Sequence, residues 1–415
     1  MNVALAKGLI ASLCENGIRE FVVCAGARNA PLIAVLGKCR GIQVYRFFEE
    51  RSASFFALGR IKNHQQPVAV VTTSGTAVAE CLPAVIEGYY SNLPLIVVSA
   101  DRPQRYRGSG APQTIEQAGL FGQYAERTYD IETISDLKLA IGQRPIQVNV
   151  AFTEPLVDEE IEIFKASSPK KITRKPALDP LTSEQEHQAR EFLKKSQRPV
   201  VVLANISRQH KKTVVDWLSR VGLPTYAESG SHCRDDAALS ASILQSGERI
   251  LFHPEFMEKA DSVIRIGGVP TTRFWRDLDE KFQCPVLSIS DRPFSGLARS
   301  RAAPLPMDAL SLMPIQSAKF AWTTSELQTV WDFDHKQSQR LDQLLTKYPK
   351  SEPALVRELA KIIPPGSRVY VGNSLPIRIW DLVAPFQFQD FDFEANRGVN
   401  GIDGQLSTFL GWSSK

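Results

Sequence analysis

PVAVVTTSGTAVAECLPAVIEG (67–88) is the stretch that decides the fold. Residues 67–73 are mostly β-branched and apolar, as in a strand buried on both faces. Ser74, Gly75 and Thr76 make a small polar turn, and 76–90 then carries apolar residues at i, i+3 and i+4, the spacing of a helix. The alternation continues on either side. EFVVC (20–24), IQVYRF (42–47), LPLIVVSA (93–100) and QVNVAF (147–152) read as strands, and 2–16 and 50–63 as helices long enough for crossovers. A parallel sheet with both faces covered follows, so residues 1–165 form one α/β domain.

Beyond it, KASSPKKITRKPALDPLTS (165–183) is basic, proline-containing and aperiodic, which reads as a solvated linker over 166–183. A second α/β domain (184–310) follows, with helices at 183–195 and 208–221 and strands RPVVVLAN (198–205), DSVIRIGG (261–268) and PVLSIS (285–290). A helical connection (311–350, with a helix at 324–347) leads to a third start at 351–415. It has helices at 353–362 and 374–383 and one confident strand, SRVYVGN (367–373). One strand cannot close a core, so this third domain reads as incomplete. Its Leu375, Ile377, Ile379, Leu382, Val383 and Phe386 are expected to form an apolar face that something else covers.

Composition narrows the function classes. A chain of 415 residues exceeds a single module of roughly 150 residues. With 43% hydrophobic and 23% charged residues it is an ordinary globular composition, and no apolar run reaches the ~18 residues of a membrane helix. The first residues, with Glu15 and Arg19 at helical spacing, read as a helix rather than a signal peptide. A net charge of +4 gives no stripe for nucleic acid. The six cysteines form no C-x-x-C pair and the six histidines no ligand cluster, so free buried thiols, a cytoplasmic location and no zinc site are expected.

Polar loops follow the strands on the side where open α/β sheets bind ligands. CAGARNAP (24–31) offers small residues and the fork of Arg28, which suits a carboxylate; a glycine turn with a solvated arginine would look the same. Glu50 stands where a strand gives way to the helix of FFEERSASFFALG (47–59), and fits equally a functional carboxylate or a first-turn residue favoured by the helix dipole. In TTSGTAVAE (72–80), Ser74 or Thr76 is either a helix cap or part of a polar turn whose free N–H groups meet a ligand. The long loop SADRPQRYRGSGAPQTIEQAGLF (99–121) holds Arg102, Arg105 and Arg107, and long polar loops at strand ends are often functional.

EER before an ALG helix, TSGTAVAE, ADRP, GAPQTIEQ, GNSLPIR and NRGVNGIDGQLST occur in one order across residues 20–412. Together they resemble the thiamine-diphosphate-dependent 2-succinyl-5-enolpyruvyl-6-hydroxy-3-cyclohexene-1-carboxylate synthases of menaquinone biosynthesis. The resemblance implies a three-domain fold of parallel sheets flanked by helices, with pyrimidine-binding, central and diphosphate-binding domains. It implies decarboxylation of 2-oxoglutarate and addition of the resulting carbanion equivalent to isochorismate. Glu50 would share a proton with the aminopyrimidine nitrogen, favouring the tautomer that deprotonates the thiazolium carbon. Ser74, Gly75, Thr76 and Ile402 match cofactor positions, and Arg28, Arg102, Gln113, Arg273, Ser374, Arg378 and Arg397 match substrate contacts. Several arginines suit two dicarboxylates, because a bidentate guanidinium fixes direction as well as charge.

Two departures stand out. The family usually has proline and serine where this chain has Ala25 and Ala27. These enzymes also hold Mg²⁺ and the diphosphate with a Gly-Asp-x motif and a later asparagine, and the Gly401–Gly404 segment cannot be that motif. No metal ligand is therefore assigned, and the resemblance places that motif beyond this chain. The resemblance also implies a homodimer or homotetramer in which Glu50 and Arg378 belong to different subunits. Another thiamine-diphosphate 2-oxoacid enzyme, and a non-catalytic pseudoenzyme or binding subunit, stay open as alternatives.

Overall fold

The strands read from the sequence pair in parallel. The computed structural model describes residues 1–169, 181–281, 284–298, 304–312, 320–384 and 389–414. Two units divide the chain, one of Met1–Ala177 with Gly398–Lys415 and one of Leu178–Arg397. Most of the expected linker, and Phe386, lie outside the described residues.

In the first unit the main sheet holds β1 (Glu20–Cys24), β3 (Gln43–Phe47), β4 (Val68–Thr72), β5 (Leu95–Asp101), β6 (Arg127–Ile131) and β7 (Ile146–Ala151), in the order β3-β1-β4-β5-β7-β6. A separate two-residue pair joins β2 (Cys39–Arg40) to β8 (Phe164–Lys165). β4 and β5 are buried at every residue, as their apolar runs predict. β6 was not legible: RTYDI lies at the edge with its first residues exposed, so it needs no apolar run.

Side chains alternate across this sheet. Phe21, Val23, Ala69, Val71, Ile96 and Val98 pack with α1 (Asn2–Glu15) and α2 (Ala30–Lys38). Val22, Cys24, Val68, Val70, Leu95 and Val97 pack with α3 (Glu50–His64) and α5 (Leu82–Ser91). The helix expected over 76–90 is broken into α4 (Thr76–Ala79) and α5, because Pro83 lacks an N–H and can stand only in a helix's first turn.

The second unit repeats the plan with β9 (Pro199–Leu203), β10 (Thr225–Ala227), β11 (Ser262–Ile266) and β12 (Val286–Ile289) in the parallel order β10-β9-β11-β12. Its helices include α6 (Ser183–Lys195), α7 (Lys211–Val221), α8 (Pro254–Lys259), α9 (Arg273–Glu280), α10 (Ala309–Leu312), α11 (Thr324–Lys347), α12 (Glu352–Ile362) and α13 (Leu375–Val383). A second strand, β14 (Asp392–Glu394), joins β13 (Arg368–Tyr370). The apolar face expected after residue 374 is largely covered inside this unit. Ile377 packs with Trp380 and Phe393, and Ile379 and Val383 pack with Leu341 of α11, whereas Leu375 is exposed.

The final segment returns to the first unit. Glu87 of α5 is buried; its carboxylate accepts Gly398 N–H (2.8 Å) and Val399 N–H (2.9 Å). α14 (Gln405–Ser413) then lies along α3. A Cβ at Gly59 would stand 2.1 Å from the Thr408 carbonyl, and one at Gly411 2.1 Å from the Phe56 carbonyl, so the two helices touch backbone to backbone. This explains why α3 is buried from Ala53 through Lys62 rather than on one stripe. Arg60 of α3 makes a two-pronged ion pair to Glu20 (2.8 and 2.7 Å) and also donates to the Ser414 carbonyl.

Candidate functional site

Four neighbouring strands of one parallel sheet end on the same edge, so the loops after β1, β3, β4 and β5 gather there. After β1, Gly26 lies so close to Thr73, in the turn after β4, that a Cβ would be 2.5 Å from the threonine Cβ. Asn29 pins this turn by accepting Gly26 N–H and donating to the Cys24 carbonyl. Arg28 is thereby held 8% exposed, with Nη1 on the Phe152 carbonyl (3.2 Å) and Nη2 beside Glu154 (3.2 Å). Burial, then the field of Arg102, pushes its pKa down. Two guanidiniums in each other's field favour an anion between them.

After β3, the helix cap is Glu49. Its carboxylate accepts Arg51 N–H (3.0 Å) and Ser52 N–H (2.7 Å); burial raises its pKa, but these bonds outweigh burial and hold it low. Half-buried Glu50 is left outside the cap, at the first helical position. Burial and then the negative field of Glu50 push the Cys24 thiol up to about 12; burial raises Cys81 to about 12 as well, with Glu50 adding to it. Both remain neutral thiols close to Glu50. Five of the six cysteines are buried and Cys284 is half-buried.

After β4, neither Ser74 nor Thr76 caps α4: the capping position is Gly75, and no side chain closes it. Ser74 is buried and donates to the Gln113 carbonyl (2.9 Å), Gln113 Nε2 donates to the Ser74 carbonyl (3.1 Å), and Thr76 is exposed. Gly75 has φ +83°, and a Cβ there would press on Gln113 Cγ at 3.0 Å. After β5, Arg102 Nε donates to Thr114 Oγ1 (2.9 Å) and Nη2 to the Pro112 carbonyl (3.1 Å), which ties it to the strap bearing Gln113. The other two arginines of this loop have different roles. Arg107 forms a two-pronged pair with Asp130 (2.6 and 2.7 Å), and Arg105 lies over the Tyr106 ring.

Behind this edge sits a buried polar network the sequence reading missed. Asp101 is fully buried, and burial raises its pKa against the pull of its donors, Asn149 Nδ2 (3.0 Å) and Arg102 N–H (2.7 Å). Gln117 and Asn149 complete it. Their only sequence signal was polarity inside otherwise apolar or turn-forming segments, Asn149 within QVNVAF and Gln117 within GAPQTIEQ.

The second unit brings together another part of the expected set. Arg397 is buried and donates to Asn373 Oδ1 (3.2 Å), next to Ser374, whose φ of +70° is strained for a residue with a side chain. Arg292 fixes the Arg397 carbonyl (2.9 Å) while its other nitrogen holds Asn205 Oδ1 (2.7 Å). Ser374 caps α13 by backbone position without a side-chain bond, and Arg378 is exposed one turn on. Arg273, at the start of α9, is 61% exposed and pairs with Asp277 (3.5 Å). Ile402 is 71% exposed in the first unit. Among the described residues no group of three His, Cys, Asp or Glu side chains could hold a metal ion.

Glu228 faces this part of the second unit, bonded to the backbone and hydroxyl of Thr271. Burial, then the charge of Asp381, pushes its pKa from 4.5 to about 7. Between those values the folded chain keeps a proton that the unfolded chain has lost, so this group's contribution to stability falls as pH rises from about 4.5 to 7. Glu228→Gln is expected to flatten that slope, raising stability at pH 8 relative to pH 5. Urea unfolding at pH 5 and pH 8 checks it, and an unchanged pH slope in the variant would refute the assignment.

Residues 3–120 match the thiamine pyrophosphate enzyme N-terminal TPP binding domain. The chain therefore falls in the class of thiamine-diphosphate enzymes. The 2-succinyl-5-enolpyruvyl-6-hydroxy-3-cyclohexene-1-carboxylate synthase of Bdellovibrio bacteriovorus is 44% identical, over 99% of this chain and 77% of its own length. Synthases of the same name from Akkermansia muciniphila and Geobacillus kaustophilus are 36% and 32% identical, each over at least 98% of this chain and 75% of their own length. The chain belongs to the 2-succinyl-5-enolpyruvyl-6-hydroxy-3-cyclohexene-1-carboxylate synthase family.

Proposed function

We propose that this enzyme decarboxylates 2-oxoglutarate and adds the four-carbon remainder to isochorismate, using thiamine diphosphate, with the first unit providing the pyrimidine half of the site. The observation that carries this reading is the convergence of Arg28, Glu50, the Ser74–Gly75 turn and Arg102 on one edge of the sheet matched by the TPP binding domain. The edge suits an aminopyrimidine: Glu50 is left outside the helix cap, and the Thr73 hydroxyl is buried without a partner.

Bound thiamine diphosphate supplies the nucleophilic carbon and the electron sink for decarboxylation. The chain's own residues orient and exchange protons around it. Glu50 holds a proton against the ring nitrogen; Ser74, Gly75 and Thr76 line the ring, with Ile402 as apolar support. Arg28, Arg102 and Gln113 receive substrate carboxylates, and Arg273, Ser374, Arg378 and Arg397 form the complementary set. Mg²⁺ belongs to this reading as the diphosphate's counter-ion, but the described residues offer no cluster for it, and no step is assigned to it.

The reading includes a homodimer or homotetramer. Ile402, Leu406, Phe409 and Leu410 form an exposed apolar stripe on and just before α14, which an assembly would cover. A cytoplasmic location fits a chain whose cysteines are mostly buried thiols. Among the described residues no helix is long and apolar enough to cross a membrane. The test is product analysis with thiamine diphosphate, Mg²⁺ and 2-oxoglutarate, with and without isochorismate. The adduct is expected only when both substrates are present. Decarboxylation indifferent to isochorismate, with no adduct, would overturn the reading in favour of another 2-oxoacid enzyme.

A further inference from the structure

Gln117 makes connections that no other type of side chain of its length could make. It is fully buried. Its Oε1 accepts Gly75 N–H at 3.0 Å, and its Nε2 donates to the Ala100 carbonyl at 3.0 Å and to Asn149 Oδ1 at 2.8 Å. That environment needs one acceptor and two donors, which is what a carboxamide offers and a carboxylate or thioether does not. Its backbone is held in turn, since Gln147 Nε2 donates to the Gln117 carbonyl at 2.6 Å while Gln147 Oε1 accepts Gly119 N–H at 2.9 Å.

Four residues before it, Gln113 is tied to Ser74 by two reciprocal bonds, and its side chain packs over Gly75. The turn after β4 and the strap after β5 are therefore one hydrogen-bonded unit, and the Gln117 side chain anchors both to the sheet's buried polar layer through Asn149 and Ala100. We infer that Gln117 is the positioning residue that locks the Ser74–Gly75 turn and the Gln113 strap into a single rigid ligand-facing edge. This rests on the reading of Ser74, Gly75 and Gln113 as ligand contacts. Gln117 acts through them, because its own polar atoms are all engaged inside the protein.

Two measurements test it. In the ligand-free protein, Gln117→Met should speed hydrogen exchange at the Gly75 amide by about tenfold or more, because that N–H loses its partner, while peptides of β1 stay unchanged. In the holoenzyme, Gln117→Met should lower kcat/KM by about 10- to 100-fold in an otherwise wild-type chain, but by less than about threefold when Gln113→Ala is already present. A residue with only a general stabilising role would cost the same in both backgrounds. Equal losses, or unchanged Gly75 exchange, overturn the inference. Gln113→Ala without effect on kcat/KM would instead remove the assignment of Gln113 as a substrate contact, and Gln117 is then judged by the exchange result. Should Gln117→Met not fold, Gln117→Glu serves. It keeps the acceptor for Gly75 and regains one donor only when protonated, so its kcat/KM relative to wild type should rise as the pH falls. A flat ratio overturns the inference.

Discussion

Glu50→Gln is expected to lower kcat by on the order of 10²-fold or more while leaving the fold intact, because an amide cannot hold and release the proton the aminopyrimidine requires. The structure separates this effect from a helix-stability effect. Glu49, not Glu50, caps α3, through bonds to Arg51 and Ser52. Glu49→Gln should therefore cost about 1 kcal/mol of stability with a much smaller loss of kcat. Steady-state kinetics and thermal unfolding of the two variants decide the matter. A near-normal kcat for Glu50→Gln, or the large loss appearing in Glu49→Gln, would mean that the proton is held elsewhere.

Gly411→Val is expected to detach α14 from α3 at a cost of about 3 kcal/mol or more, the upper end for overpacking. The clash is with backbone: its Cβ would stand 2.1 Å from the Phe56 carbonyl and 3.1 Å from Arg60 N, and neither can swing aside as a side chain would. Trp412, 2% exposed, reports the separation. Its emission should shift to the red, and a new protease-sensitive site should open between Gly398 and Gln405. Gly37→Ala is the matched control, because nothing lies within 4 Å of a Cβ there, and removing a helical glycine should be neutral or slightly stabilising. Normal Trp412 emission in Gly411→Val would show that the helices do not meet through these glycines.

Much of the first unit could be read from the chain. β1 falls on the expected residues, and β4, β5 and β7 lie within a residue or two of theirs, because strands inside a parallel sheet are covered on both faces and so are mostly apolar. The edge strand β6 escaped because one flank needs no burial, and β10 because three residues are too few to show a pattern. In the second unit, the expectation of an uncovered apolar face failed at Ile377, Ile379 and Val383. Helix α11 supplies Leu341 and the β13–β14 pair supplies Phe393, partners that local pattern does not announce.

For the site, sequence alone determined which chemistry-bearing residues stand at strand ends: Arg28, Glu50, Ser74, Gly75 and Arg102 each follow a strand whose direction is set by its parallel neighbours. It also determined the family, through motifs whose order is a property of the chain. Tertiary structure alone decided what those residues are free to do. Glu49 takes the cap and leaves Glu50 outside it, Arg107 is committed to Asp130 while Arg102 braces the strap, and Gln117 joins two loops separated by about forty positions. The physical reason is that covalent order and local periodicity fix where a side chain leaves the backbone. Hydrogen-bond partnership and close backbone packing depend on groups brought within about 3 Å by the fold, and no local pattern encodes that distance.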